Sequence, residues 1–230
     1  MTTLFITEVG SYMWGMENET SDHDFFNCYS ESTKKILRGE YIAVTKPNTK
    51  LVAKDTFYPG KCEYDEQSME IEHLINLLVK GNINAMWAVM SPIVFNDNYG
   101  VLEKLRRIVD ENPSSSIINS IGGMAFSQQK DAVKRAETRD PQKSLKTAYR
   151  TYSFGIEYLK SGDCCFKFDI PDVVDSDMLN VKKIELVSEF NRTKLPSVVN
   201  QEPFREFLYN FRMRMLKTEF DKFSMFYKGL

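Results

Sequence analysis

The spacing of the apolar residues changes once along this chain, near residue 70, and that change limits the folds open to it. From Met69 onward Ile71, Leu74, Ile75, Leu78 and Val79 recur at the interval of a helix face, until Gly81-Asn82 stops the run. Before that point the chain reads as strands: "TLFITEV" ends at Gly10, "DHDFFNCY" follows, and "GEYIAVTK" with "TKLVAKDT" flank a Pro-Asn turn. Helical patterns then dominate: "YGVLEKLRRIVDEN", closed by Asn112-Pro113; "SIINSIGGMAFSQQKDAVKRAET"; "QKSLKTAYRTYSFGIEYLKSG", ending at Gly162; "DSDMLNVKKIELVSEFNR"; and "EPFREFLYNFRMRMLKTEFDKF". No repeat or Pro/Ser-rich linker interrupts them. A strand-rich part over residues 1–95 followed by an all-helical part over 96–230 is the economical division.

Composition excludes several classes. With 230 residues, 42% apolar and 13% aromatic, the chain can bury a sizeable core. Thirty basic against 32 acidic side chains leave a net charge of -2, so the protein as a whole is no polycation for nucleic acid and any anion site must be local. Cys28, Cys62, Cys164 and Cys165 are scattered, without a Cys-x-x-Cys pair and with only His23 and His73 to join them. Neither a zinc site nor a disulfide framework is expected, and reduced thiols point to the cytoplasm. "TTLFITEVG" has no basic n-region, and no apolar run approaches the ~20 residues of a membrane span.

The chemistry concentrates in "GSYMWGMENETSDHDFF". In a strand, alternate side chains share a face, so Asp22 and Asp24 converge while His23 and Phe25 take the other side. Two adjacent carboxylates repel unless they share a proton, a basic partner or a hard cation, and oxygen ligands at this density suit Mg²⁺ or Mn²⁺. Gly10 and Ser11 supply the complement: a glycine where a strand turns into a short helix lets main-chain N–H groups and a hydroxyl approach a phosphate. A metal-bound nucleoside triphosphate (NTP) is the ligand these groups suit.

Strand, Gly-Ser, an interval of about ten residues and D-x-D in an apolar strand resemble the nucleotidyltransferase superfamily that includes DNA polymerase β. The likeness extends through "MEIEHLINLLVKGNINAMWAVMSP", "AFSQQKDAVKRA", "KSLKTAYRTYSFGIEYLKSG" and "TKLPSVVNQEPFREFLYNF", from Leu4 to about Phe211, and is to the branch associated with RNA ligases in RNA-repair gene clusters. It implies an α+β fold, a nucleotidyltransferase-like mixed sheet with flanking helices ahead of the helical C-terminal part. It implies a third metal-binding acid within "EYDEQSMEIEHL". Glu70 is chosen from the register of Lys80-Gly81-Asn82, with Asp65 and Glu72 as alternatives. It also singles out Lys143 and Arg150, seven residues apart on one helix, as nucleotide-binding residues. Lys146, and Lys130 with Lys134 on the preceding helix, could join them in a basic groove.

In two-metal chemistry one ion on Asp22 and Asp24 binds the triphosphate, and a second, shared with Glu70, activates the attacking hydroxyl. The expected reaction is transfer of a nucleoside monophosphate from an NTP to an RNA end or another polynucleotide hydroxyl, with release of pyrophosphate. Two other readings stand beside it: AMP transfer to a protein or small molecule, and a non-catalytic nucleotide-binding module. His23 is expected to point away from the acids, packed or at the surface; His73, on the helix after the third acid, could approach the site, but packing is favoured over a catalytic role. The Met and aromatic stripe from Phe207 to Tyr227 reads as core or as a homodimer seam.

Overall fold

The computed structural model describes residues 1–17, 19, 21–40, 44–45, 64–138 and 140–228. Its contacts group the chain into two compact units, Met1–Val79 with Ser91–Ile108 and Asn200–Leu230, and Lys80–Met90 with Val109–Val199. The division expected at residues 95 and 96 thus runs inside the first unit.

The first unit is built on a mixed sheet. β1 (Thr2–Val9) passes through the short α1 (Gly10–Met13) into β2 (His23–Ser30), then α2 (Thr33–Leu37), β3 (Val44–Thr45) and β4 (Tyr64–Glu70), which continues into α3 (Ile71–Val79). After α4 (Ile83–Met90), which belongs to the second unit, the chain returns as β5 (Val94–Asp97) and enters α5 (Val101–Glu111). Among the described residues the strands lie in the order β3-β4-β2-β1-β5; β2 runs parallel to β4, and the other pairs are antiparallel. "TKLVAKDT" falls outside the described residues.

Apolar side chains cover the sheet. Leu4, Phe5, Cys28 and Tyr29 are completely buried, and Ile71 and Leu74 of α3 are buried with them. Asp97 starts α5 by accepting from the backbone N–H of Leu102 at 2.9 Å, a cap that "NDNYGV" does not announce. The closing helix α9 (Glu202–Lys228) belongs to this unit rather than to the other helices. Its Arg212 donates to Glu70 at 2.5 Å and to Ser30 at 2.8 Å, and its Glu219 accepts from the Thr33 N–H of α2 at 3.2 Å. Phe204 and Phe211 are its buried apolar anchors, whereas Tyr209, Met213 and Leu216 remain exposed.

The second unit is helical. α6 (Ile118–Lys134), α7 (Pro141–Ser161) and α8 (Ser176–Arg192) pack around Gly155, where an added Cβ would stand 2.6 Å from Ile121 and 2.9 Å from Leu186. A glycine there lets three helices meet. Phe154, fully buried, meets Trp87 of α4 edge to face at 5.6 Å, burial worth roughly 1.5–3 kcal/mol for such a side chain. α7 has Asp140 at its N-cap, Pro141 in its first turn and Gly162 at φ 84° beyond its end, the signals that mark its limits in the sequence.

Candidate metal centre

Strand alternation and register bring three carboxylates together. β2 lies between β1 and β4, with Asp24 opposite Val9 on one side and Asp65 on the other. Asp22 directly precedes β2. One carboxylate oxygen from each of Asp22, Asp24 and Asp65 lies within 4.8 Å of the other two. Oxygens on opposite sides of one Mg²⁺ stand about 4 Å apart, so small rotamer changes suffice for a shared ion. A donor set of three acids without Cys or His fits a hard cation and disfavours zinc or copper.

Gly10 is required by this cluster. Its φ is +68°, and a Cβ at that position would stand 1.9 Å from Asp24 Oδ2. The missing side chain is the space the Asp24 carboxylate occupies, a close approach that the Gly-Ser pair signals without naming the partner. Ser11 follows in the same turn, its carbonyl accepting from the N–H groups of Trp14 and Met16 at 3.1 and 3.0 Å.

Glu70, expected as the third ligand, is not brought to the pair. It ends β4, five residues beyond Asp65, about 16 Å along the strand, and an odd separation puts it on the other face. There it is fully buried, bound to Arg212 at 2.5 Å and accepting from the Glu72 N–H at 2.7 Å. Its role is to tie α9 and the start of α3 to the sheet. Glu72, the other alternative on the helix side, faces Arg212 at 3.7 Å.

That second face carries buried polar groups the sequence reading did not foresee. Glu8, 1% exposed, is hydrogen-bonded through Oε1 to Nδ1 of His23 at 2.5 Å, and burial pushes its carboxyl above the usual range. Asn27 donates to Glu66 at 3.0 Å, and Ser68 donates to the same carboxylate oxygen at 2.6 Å. Burial also raises Glu66. Which of these polar residues meet depends on the register of the strands that carry them, which no single strand shows.

Lys143 and Arg150 lie on α7 in the second unit. Lys143 is exposed. Arg150 is 8% exposed, and burial lowers its guanidinium to about 10. Lys130 lies over the Phe126 ring at 4.4 Å. The described cysteines, Cys28, Cys164 and Cys165, are free thiols.

A glycine-serine turn packed on a D-x-D strand, beside an acid from the parallel neighbour, places the chain among nucleotidyltransferase-type proteins of the DNA polymerase β kind. Its family is more particular: residues 1–155 match RlaP, the RNA repair pathway DNA polymerase beta family, and the chain belongs to that family. No curated protein matches the chain. No described helix is long and apolar enough to cross a membrane.

Proposed function

We propose that this protein transfers a nucleoside monophosphate from an NTP to a polynucleotide hydroxyl, an RNA end, releasing pyrophosphate. The observation that carries the reading is the convergence of Asp22, Asp24 and Asp65 beside the Gly10-Ser11 turn. The RNA acceptor rests on the family's RNA-repair description. All the groups proposed to bind metal lie within residues 1–95, which we take as the catalytic part.

Asp22, Asp24 and Asp65 would hold one or two divalent ions, Mg²⁺ or Mn²⁺, which neutralise triphosphate charge and lower the pKa of an attacking hydroxyl. The protein's own part is positional. Asp24 is fixed by its strand between β1 and β4, and Asp65 by the parallel register, so both carboxylates are held before substrate arrives. Ser11, beside Asp24 through Gly10, is assigned to the triphosphate. Lys143 and Arg150 are assigned to it on the sequence resemblance alone.

The test is incubation of the full chain with Mg²⁺ and each α-labelled NTP, offering RNA with a free 3′ hydroxyl and, separately, a protein acceptor. Label on RNA with stoichiometric pyrophosphate is the expected result. Label on protein alone would replace the acceptor, and NTP binding without turnover on either would overturn the transferase reading.

A further inference from the structure

The Glu8–His23 pair lies back to back with the carboxylate cluster. His23 stands in sequence between Asp22 and Asp24, and its ring turns to the opposite side of β2. There it is 8% exposed, hydrogen-bonded to Glu8 at 2.5 Å, and stacked on Tyr12 of α1 with ring centroids 4.2 Å apart and planes 16° from parallel. Tyr12 follows Ser11 directly. Glu8 is anchored in turn: its N–H donates to the Ile93 carbonyl at 3.1 Å, and its own carbonyl accepts from the Ser91 hydroxyl. Phe25, next on this face, stacks toward His23 at 6.0 Å and meets Phe95 of β5 edge-on at 5.3 Å.

An apolar pair would fill this place at less cost. Replacing a buried, polar, directional contact by well-packed hydrocarbon is commonly neutral or stabilising, because the desolvation of the carboxylate is avoided. What hydrocarbon cannot supply is direction. A hydrogen bond between Glu8 and His23 sets the rotation of the residue that joins the two aspartates, and Tyr12 on the imidazole sets the α1 turn that carries Gly10 and Ser11. Gly10 leaves no slack, since Asp24 already occupies the position of its absent Cβ.

We infer that Glu8, His23 and Tyr12 form a positioning unit, which holds the Gly10-Ser11 turn and the Asp22/Asp24 strand in the one relative geometry that binds the divalent cation. The inference rests on the metal-site reading above. None of the three residues touches the ion; they act through the backbone of β2 and α1.

Mn²⁺ affinity, read from the electron paramagnetic resonance signal of the free ion, and melting temperature are measured on the same protein samples. The variants are Glu8→Gln, His23→Asn, Asp24→Asn and the double apolar variant Glu8→Leu/His23→Phe. Gln keeps the acceptor while removing the charge, so Glu8→Gln should bind Mn²⁺ within about twofold of the parent; Asn places an N–H near that of the imidazole Nδ1 but offers Tyr12 no ring, so His23→Asn should bind Mn²⁺ more weakly than the parent. The double variant should melt at or above the parent temperature yet bind Mn²⁺ about tenfold more weakly, the scale of outer-shell effects on metal sites. Parent-like Mn²⁺ affinity in the double variant overturns the inference, and so does a tenfold loss in Glu8→Gln, which would make the effect one of charge. If the double variant does not fold, His23→Asn decides: parent-like Mn²⁺ affinity there overturns the inference, since the ring on which Tyr12 stacks is gone. Asp24→Asn separates the two readings, because unchanged Mn²⁺ binding in that variant, or none in the parent, removes the metal site itself.

Discussion

Asp65 of β4 stands directly beside Asp24 of β2 in a parallel ladder. With Asp22 they form a cluster whose carboxylate oxygens lie within 4.8 Å of one another. Asp24→Asn and Asp65→Asn should each lower nucleotide transfer by at least about 100-fold, with a melting temperature unchanged or higher because a repulsion is relieved. Glu70→Gln should retain transfer per folded molecule while losing about 1–3 kcal/mol of stability, since Arg212 loses its nearer charged partner and keeps only Glu72 at 3.7 Å. Steady-state kinetics and denaturant melts on the three variants check this; a stable but inactive Glu70→Gln protein would return the third-ligand role to Glu70.

Gly10→Ala tests the packing of turn against acid. The left-handed backbone costs a non-glycine residue about 1 kcal/mol, but the larger effect is the collision of the new methyl with the Asp24 carboxylate. The variant should fold, lose most metal-dependent transfer, and show a weakened Mn²⁺ affinity. Normal transfer in Gly10→Ala would show that the Asp24 rotamer is free to change.

Arg150→Lys tests the nucleotide assignment on α7. Arg can grip a phosphate with two parallel N–H bonds that Lys cannot reproduce. NTP affinity should fall by about 1–2 kcal/mol, and the loss should shrink in high salt. Calorimetric titration and a melting curve on one sample suffice: lowered stability with normal affinity would make the buried guanidinium a structural element of its own helical unit.

Glu66→Gln should flatten the pH dependence of stability. Burial raises the Glu66 carboxyl despite its bonds from Asn27 and Ser68. A raised folded pKa means the native state holds the proton more tightly than the unfolded chain, so this contribution is full below the ordinary carboxylate value and is lost as pH rises through the raised one. In EDTA, the parent should lose stability across that window while Glu66→Gln does not, and Glu66→Gln should melt higher at pH 8. Parallel curves for the two proteins would refute a raised Glu66 carboxyl.

The sequence alone determined what short-range physics controls. The helix end at Gly162 was legible because a breaker acts within a turn, and the β1–α1–β2 passage was legible because Gly10, Ser11, Asp22 and Asp24 lie close together along the chain. Asp24 could be placed with Asp22 from alternation alone. The third carboxylate could not: five acids crowd residues 63 to 72, and only the register of β4 on β2, formed across more than thirty intervening residues, selects Asp65 and turns Glu70 to the other face. The four-residue strand β5 was too short to show a period, and no local signal tells that α9 returns to the sheet through Arg212. Alternation turns His23 away from the acids, but that it meets Glu8 is decided by the antiparallel pairing of β1 and β2, which buries both on one side. Pairings of this kind depend on which distant segments exclude water together, a property of the folded chain and not of any window of it.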